Sequence, residues 1–276
     1  FSTYLYTGNG STQTIANGID LGPQTGNSTY FNGSQINTNT SASAFDLGTL
    51  NWTIECWIKT SYTSRIDPFE LNGGPSQSGF FGLTLNNGSS GQVEWNEASS
   101  SVISVNNPVI VNNSWHHIAI TRNGNSVRLF IDGVQFGSTY TTTYVYGASN
   151  IAFRFGNRYP GGVSSSSTYY ISNFRIIKGT ALYTSSFTPS IMPLTLVSGT
   201  SYLGHQSNNS NTDLTGIGNS YTNLATPTID GPFMYGGQGG MVWSKSRSNA
   251  DNHGIFDTAR GVGNYLIPSS TNAQSS

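Results

Sequence analysis

Short runs of alternating apolar and polar residues, separated by turn-forming residues, recur along almost the whole chain. Successive side chains of a strand point to opposite faces, so each run predicts a half-buried strand and the intervening Gly, Asn, Pro and Ser predict turns. Helical periodicity is nearly absent. Many short strands joined by polar turns predict an all-β sandwich or jelly roll. The runs are STYFNGSQINT, WTIECWIKT, GFFGLTL, GQVEWNE, WHHIAITR, VRLFIDG, NIAFRFGN and YYISNFRIIKG.

The segment SWHHIAITRNGNSVRLFIDGVQFGS, residues 114–138, holds two histidines and an aspartate close together. Its alternation predicts three antiparallel strands, with turns at Asn123–Gly124 and Asp132–Gly133. His116 and His117 are neighbours on one strand and therefore point to opposite faces, where they cannot act on one substrate atom. The pattern favours a scaffold over a catalytic site.

Composition excludes several classes of function. Charged residues make up only 8% of the 276 residues and the formal net charge is −1, against roughly 25% charged residues in an average globular protein. Without a basic run the sequence predicts no nucleic-acid binding. The longest apolar runs have the length of strands, so we expect no membrane insertion. The single cysteine, Cys56, alternates with apolar residues and is expected in the core.

Four segments together resemble the laminin-G-like, concanavalin A-like jelly-roll domain. They are STYFNGSQI, NWTIECWIKT, SWHHIAITRNGNSVRLFIDGVQFGS and YYISNFRIIKGTALYTSSFTP. The last is particularly similar to versions found in tail-fibre and other virion proteins of bacteriophages. The resemblance covers about residues 27–232 and implies a concanavalin A-like sandwich. It leaves the ligand open, because this fold occurs in lectins, glycosidases and adhesive spacers.

The two ends of the chain resemble something else. Residues 1–22 and 233–276 are similar to two parts of one phage structural module that normally follow each other almost directly. We therefore expect a small, discontinuous and incomplete β-rich outer module, with the jelly roll of residues 23–232 inserted into it. Such insertions are tolerated where the termini of the inserted domain lie close together. The alternative is that both ends are edge strands of the jelly roll.

Glu94 and Glu97, in GQVEWNEASS, are the candidates for catalysis. Glycosidases of the concanavalin A-like fold place paired carboxylates at even separations on one strand, whereas these two are three residues apart. An odd separation directs them to opposite faces unless a bulge intervenes. We therefore expect a solvated strand and no catalytic residue.

Aromatic residues are better candidates for binding. Tyr140, Tyr144 and Tyr146, in TYTTTYVYG, are predicted on one face of a strand, and Arg158 and Tyr159 lie in a long Gly- and Ser-rich loop. Exposed rings stack on sugars and an arginine donates to hydroxyls or acidic sugars. The alternative for the tyrosines is core packing or a subunit contact.

No cysteine and histidine cluster has the spacing of a metal site, and no cofactor is expected. The resemblance implies one candidate ion, calcium, because laminin-G-like domains often hold this ion at the rim of the sandwich. Asp67, in TSRIDPFE, is the weak candidate, in a predicted loop without a second loop carboxylate.

The resemblance and the absence of catalytic geometry predict a non-enzymatic structural component of a virion tail fibre or a similar extracellular assembly. It would associate with copies of itself and display a lectin-like domain towards host or environmental surface glycans. Two alternatives remain, a polysaccharide-cleaving enzyme of the same fold and a purely structural filament subunit without a ligand. The expected location is the virion or the extracellular space.

Overall fold

A computed structural model gives the fold. It describes residues 28–38, 42–71, 78–147, 153–156, 167–190, 192–206, 219–222, 226–228, 232, 241–244, 254–257 and 265–267. These residues form eighteen strands and two short 3₁₀ turns, with no α-helix among them. The prediction of an all-β protein is confirmed. The strands are β1 (Ser28–Asn32), β2 (Gln35–Thr38), β3 (Trp52–Lys59), β4 (Ile66–Leu71), β5 (Phe81–Leu85), β6 (Gln92–Glu97), β7 (Ser100–Asn106), β8 (Trp115–Asn123), β9 (Ser126–Ile131), β10 (Val134–Thr141), β11 (Phe153–Gly156), β12 (Thr168–Lys178), β13 (Thr200–Gly204), β14 (Asn219–Thr222), β15 (Thr226–Thr228), β16 (Met241–Ser244), β17 (Gly254–Asp257) and β18 (Tyr265–Leu266).

Two antiparallel sheets form the sandwich. The eight-stranded sheet runs β10-β9-β8-β3-β12-β1-β15, with β13 also paired to β12, and the seven-stranded sheet runs β14-β2-β11-β4-β5-β6-β7. Strands distant in sequence are neighbours in both sheets, as β3 and β12 show. These long crossovers are the topology of a jelly roll.

Aromatic side chains fill the space between the two sheets. The rings of Trp52 on β3 and Trp95 on β6 lie 5.7 Å apart, and Phe69 on β4 meets Phe174 on β12 at 4.9 Å. All four side chains are fully buried. Each such burial stabilises the fold by about 1.5–3 kcal/mol. Cys56 is also buried, as expected.

The three-stranded meander predicted for residues 114–138 is confirmed. Strands β8, β9 and β10 are adjacent in the eight-stranded sheet. Asp132 and Gly133 both have positive φ, of 50° and 78°, at the second turn. Aspartate and glycine accept this left-handed backbone more readily than other residues do.

Strands β16, β17 and β18 form a third sheet, which shares none of the described strands with the sandwich sheets. They belong to the predicted outer module, whose other part, residues 1–22, lies outside the described residues. The insertion therefore stays a prediction. No helix in the described part of the chain is long and apolar enough to cross a membrane.

Candidate functional site

A polar pocket lies on the outer face of the seven-stranded sheet, where β4, β5 and β6 run side by side. Its volume is about 250 Å³. Carboxylates, amides, hydroxyls and one guanidinium group surround it, together with a few apolar groups. The lining residues are Arg65, Asp67, Glu70, Phe80, Gly82, Leu83, Thr84, Asn87, Asn96, Ala98, Ser99 and Ser101.

A β-bulge brings two carboxylates of β4 into this pocket. Asp67 and Glu70 are three residues apart and would point to opposite faces of a regular strand. The pairing of β4 with β5 shifts register between Ile66 and Phe69. The extra residue in β4 shifts the alternation of side chains by one position, so Glu70 points to the same face of the sheet as Asp67. Asp67 and Glu70 consequently both line the pocket, and both are buried.

Gly82 leaves space at the centre of the pocket. It sits on β5 directly between Glu70 of β4 and Asn96 of β6. A Cβ atom added to Gly82 would lie 2.8 Å from the Cβ of Glu70. Any side chain here would fill the pocket or displace Glu70, so the missing side chain creates the depression.

The pocket carboxylates accept charge-assisted hydrogen bonds. Asp67 accepts from Nε and Nη2 of Arg65 at 3.2 and 3.0 Å, and from the hydroxyl of Thr84 at 2.6 Å. Glu70 accepts from Nη2 of Arg154 at 2.8 Å. Bonds of this kind are stronger than those between neutral groups. They hold the acceptor oxygens in fixed positions before any ligand arrives.

Glu94 lies beside the pocket, directly across from Thr84. Its carboxylate accepts from Asn87 Nδ2 at 3.0 Å and from Gln92 Nε2 at 2.9 Å. Glu97, on the same strand, instead accepts from the hydroxyls of Tyr140 and Tyr146 at 2.6 Å each. The pairing of β6 with β5 is regular throughout, so the prediction that Glu94 and Glu97 point to opposite faces is confirmed. The expectation that they are solvated is wrong, because both are at least 93% buried.

Residues 31–182, more than half of the chain, match the family model described as "Concanavalin A-like lectin/glucanases superfamily". The chain belongs to this superfamily. The predicted concanavalin A-like sandwich and the laminin-G-like resemblance are thereby confirmed. No curated protein matches the sequence.

Several solved structures are similar to this superfamily member. The binding domain of Paraclostridial Mosquitocidal Protein 1 is 18% identical with a TM-score of 0.43, over 56% of this chain and 41% of that domain. A heptameric SAP-like pentraxin from Limulus polyphemus is 12% identical with a TM-score of 0.44, over 57% of this chain and 77% of the pentraxin. The binding domain of botulinum neurotoxin serotype D/C is 16% identical with a TM-score of 0.37, over 49% of this chain and 34% of that domain. The chain thus spans less than half of either toxin domain.

The three tyrosines do not share an exposed strand face. Strand β10 ends at Thr141, so Tyr144 and Tyr146 follow it. Tyr146 is fully buried and packs edge-on against Trp52 at 5.1 Å. Burial and the hydrogen bond to Glu97 raise the pKa of Tyr146. The prediction of a sugar-stacking face is wrong for Tyr146, because this residue belongs to the core of the sandwich.

Tyr140 and Tyr144 are half-buried against the same core. The hydroxyl of Tyr140 donates to Glu97, and this bond raises the pKa of Tyr140. Tyr144 meets the ring of Tyr146 edge-on at 5.0 Å. Arg158 and Tyr159, the other predicted sugar contacts, lie outside the described residues. Their role remains a prediction.

Asp67 lies on strand β4 and not in a loop as expected. Its carboxylate is directed into the pocket, where Arg65 and Thr84 occupy its oxygens. In the described part of the chain, no group of three or more His, Cys, Asp or Glu side chains is arranged to hold a metal ion. Asp67 is therefore a pocket residue. The bulge in β4 that accompanies it is not predicted by the sequence.

The adjacent histidines stabilise two different parts of the scaffold. Nδ1 of His116 lies 2.7 Å from Asp132, the residue of the β9–β10 turn. His117 faces the other way and its Nε2 lies 3.2 Å from Glu55, which also accepts from Nε of Arg175 at 2.9 Å. Burial alone would raise the pKa of Glu55, but the hydrogen bond from His117 and the charge of Arg175 outweigh it and lower that pKa. The interpretation of this segment as scaffold agrees with these contacts.

The sequence predicts only one of the residues that line the pocket, Asp67, and predicts a different role for it. The available signal is the alternation of polar side chains on β5 and β6, seen in Thr84, Glu94 and Asn96. The signal is weak because the same pattern marks any strand whose outer face meets water.

Proposed function

We propose that this protein is a non-enzymatic glycan-binding domain and that the pocket beside Gly82 receives the sugar. The observation that supports the proposal is the preorganised set of acceptors and donors around one depression. Asp67 and Glu70 present carboxylate oxygens, and Asn96 presents an amide. Sugar hydroxyls both donate and accept, so they match a mixed lining of this kind.

The size of the pocket suits a small ligand. Its volume of about 250 Å³ lies just below the roughly 300–1,000 Å³ of pockets that enclose drug-sized molecules. A single sugar ring at the end of a chain fits such a depression, and the rest of the glycan would extend into solvent.

We favour binding over hydrolysis as the function of this pocket, because arginines already engage the carboxylates of Asp67 and Glu70. A glycosidase needs one carboxylic acid that holds a proton for the leaving group and a second carboxylate across the scissile bond. Asp67 and Glu70 are each in an ion pair with an arginine, and their oxygens already accept hydrogen bonds from it. This arrangement suits carboxylates that accept hydrogen bonds from sugar hydroxyls. Cleavage of a polysaccharide remains the alternative function.

The wider role we propose is that of a structural component of a virion tail fibre or a similar extracellular assembly. The support is the sequence resemblance of the segment YYISNFRIIKGTALYTSSFTP and of the two chain ends to phage structural proteins. Copies of this chain would associate through the outer module and display the sandwich towards surface glycans. Negative-stain imaging of the purified protein tests this role, since fibres or rings support it and dispersed monomers contradict it.

The test of the pocket is a glycan array probed with three proteins. We expect the wild type to bind at least one glycan, Asn96→Ala to lose that signal, and Thr139→Ala to keep it. Asn96 lines the pocket, whereas Thr139 is an exposed residue of β10. Equal binding by wild type and Asn96→Ala would exclude the pocket. We expect EDTA to leave binding unchanged, and a loss of signal restored by calcium would establish a metal requirement.

A further inference from the structure

We infer that the pocket selects uncharged sugars and rejects sugars that carry a carboxylate. This inference rests on the proposed function and adds the chemical class of the ligand. The argument comes from the balance of charge around the pocket and from the way the positive charges are already engaged.

Three described carboxylates and two guanidinium groups surround the pocket. Asp67, Glu70 and Arg65 line it directly. Arg154 is bonded to Glu70, and Glu94 is bonded to the lining residue Asn87. The described side chains therefore leave one net negative charge at the site. Four of these five side chains are nearly buried, so water screens their charges only weakly.

Arg65 already uses its guanidinium group within the protein. Nε and Nη2 donate to the two oxygens of Asp67, and Nη1 donates to Oδ1 of Asn87 at 2.8 Å. Two of its five N–H groups remain, but the carboxylate of Asp67 already balances the charge of the guanidinium group. An acidic sugar bound to the remaining N–H groups would lie close to Asp67 and would gain little net attraction.

The second arginine is no better placed to receive an acidic ligand. Arg154 lies directly across from Glu70 on the neighbouring strand β11 with 5% of its side chain exposed, and its Nη2 donates to Glu70. A ligand carboxylate in the pocket would therefore lie close to Asp67 and Glu70, whose charges the two arginines already balance, and Glu94 would add an unbalanced negative charge. Repulsion of this kind gives specificity by rejecting the wrong ligand. Neutral hydroxyls carry no such penalty and can donate to the same carboxylates.

Glu94 provides the test, because it contributes the unbalanced charge without lining the pocket. Glu94→Gln keeps the shape and removes one negative charge. Glu97→Gln is the matched control, since it makes the same change on the same strand but on the opposite face. Thermal unfolding of both variants checks that they are folded.

The probes are pairs of oligosaccharides that differ only in a terminal acidic sugar, such as a hexose paired with its uronic acid. We expect the wild type and Glu97→Gln to bind the acidic member roughly tenfold more weakly than the neutral member. In Glu94→Gln this difference should shrink, with binding of the neutral member retained.

Each other outcome is decisive. Equal or tighter binding of the acidic member by the wild type overturns the inference while leaving the glycan-binding function intact. The same holds if Glu94→Gln discriminates as strongly as Glu97→Gln. If the wild type binds no member of any pair at millimolar concentration, the proposed function itself fails.

Discussion

Asp67 and Glu70 lie three residues apart on β4 and yet line the same pocket. Glu94 and Glu97 have the same separation on β6 and point to opposite faces. The difference is a single register shift, present in the pairing of β4 with β5 and absent from the pairing of β6 with β5. Whether two carboxylates of this protein can act together is therefore decided by a bulge and not by their spacing.

The first prediction concerns catalysis. We expect the wild-type protein to release reducing sugar from polysaccharides only at the background rate. The reason is that the carboxylates of Asp67 and Glu70 each form an ion pair with an arginine. Glu70→Gln, Glu94→Gln and Glu97→Gln should give the same background. A reducing-sugar assay over a panel of polysaccharides is the measurement. Hydrolysis by the wild type that disappears in Glu70→Gln would establish the enzyme alternative.

The second prediction concerns stability at acid pH. Burial lowers the pKa of His205 from its ordinary value of 6.5 to about 3. At a pH between about 3 and 6.5, His205 is protonated in the unfolded chain and neutral in the folded protein. The free energy of unfolding therefore has its full contribution from neutral His205 above pH 6.5. It declines as the pH falls towards 3, by up to about 1.4 kcal/mol per pH unit. Urea unfolding at several values between about pH 7 and pH 5 measures this slope.

His205→Asn is the matching variant. Asparagine tolerates the φ of +60° at this position and has polar groups that can bond Thr29, the present partner of His205. In this variant the free energy of unfolding should change less steeply with pH between about pH 7 and pH 5, because the contribution of His205 is removed. Glu55 and Asp132 also have lowered pKa values, but they titrate below this range. An unchanged slope in His205→Asn would contradict the assignment.

The third prediction concerns the buried carboxylate of Glu97. It accepts hydrogen bonds from Tyr140, Tyr146 and, at 3.2 Å, Thr142. Glu97→Gln should lower the free energy of unfolding by about 2 kcal/mol, because an amide offers one acceptor oxygen instead of two. Tyr140→Phe removes a single donor and should cost about 1 kcal/mol. Chemical denaturation checks both values, and two variants as stable as the wild type would show that this cluster contributes nothing.

The fourth prediction concerns the loop that contains Arg158 and Tyr159. A long Gly- and Ser-rich loop with an arginine and a tyrosine is typical of a binding segment. We expect Tyr159→Ala to weaken glycan binding on an array while Thr139→Ala does not. Undiminished binding by Tyr159→Ala would assign recognition to the pocket alone.

The fifth prediction concerns the division of the chain. Among the described strands, β16 to β18 pair only with one another, and a module of this size has a marginal core that gains stability from neighbouring copies. Deleting residues 24–231 and closing the gap with a short Gly/Ser linker should leave a protein that oligomerises. The separate segment 24–231 should be a folded monomer. Size-exclusion chromatography with light scattering measures both, and the reverse result would assign assembly to the sandwich.

The sequence by itself determined the fold class, the meander and the core. Alternation between two faces is a local property, so the strand of Ile54, Cys56 and Ile58 and the turn at Asp132 could be predicted without any knowledge of their neighbours. The opposite orientations of Glu94 and Glu97 followed from the same rule, because β6 is regular against β5.

Only the tertiary structure decided where the pocket lies. Arg154 reaches Glu70 across 84 positions of sequence, and Gly82 matters only because β4 and β6 pair on either side of it. The burial of Tyr146 likewise depends on Trp52 and Glu97, which come from other strands. Local periodicity says which face a side chain takes within its own strand. It contains no information about bulges or about which strands become neighbours, because pairing between distant segments sets both.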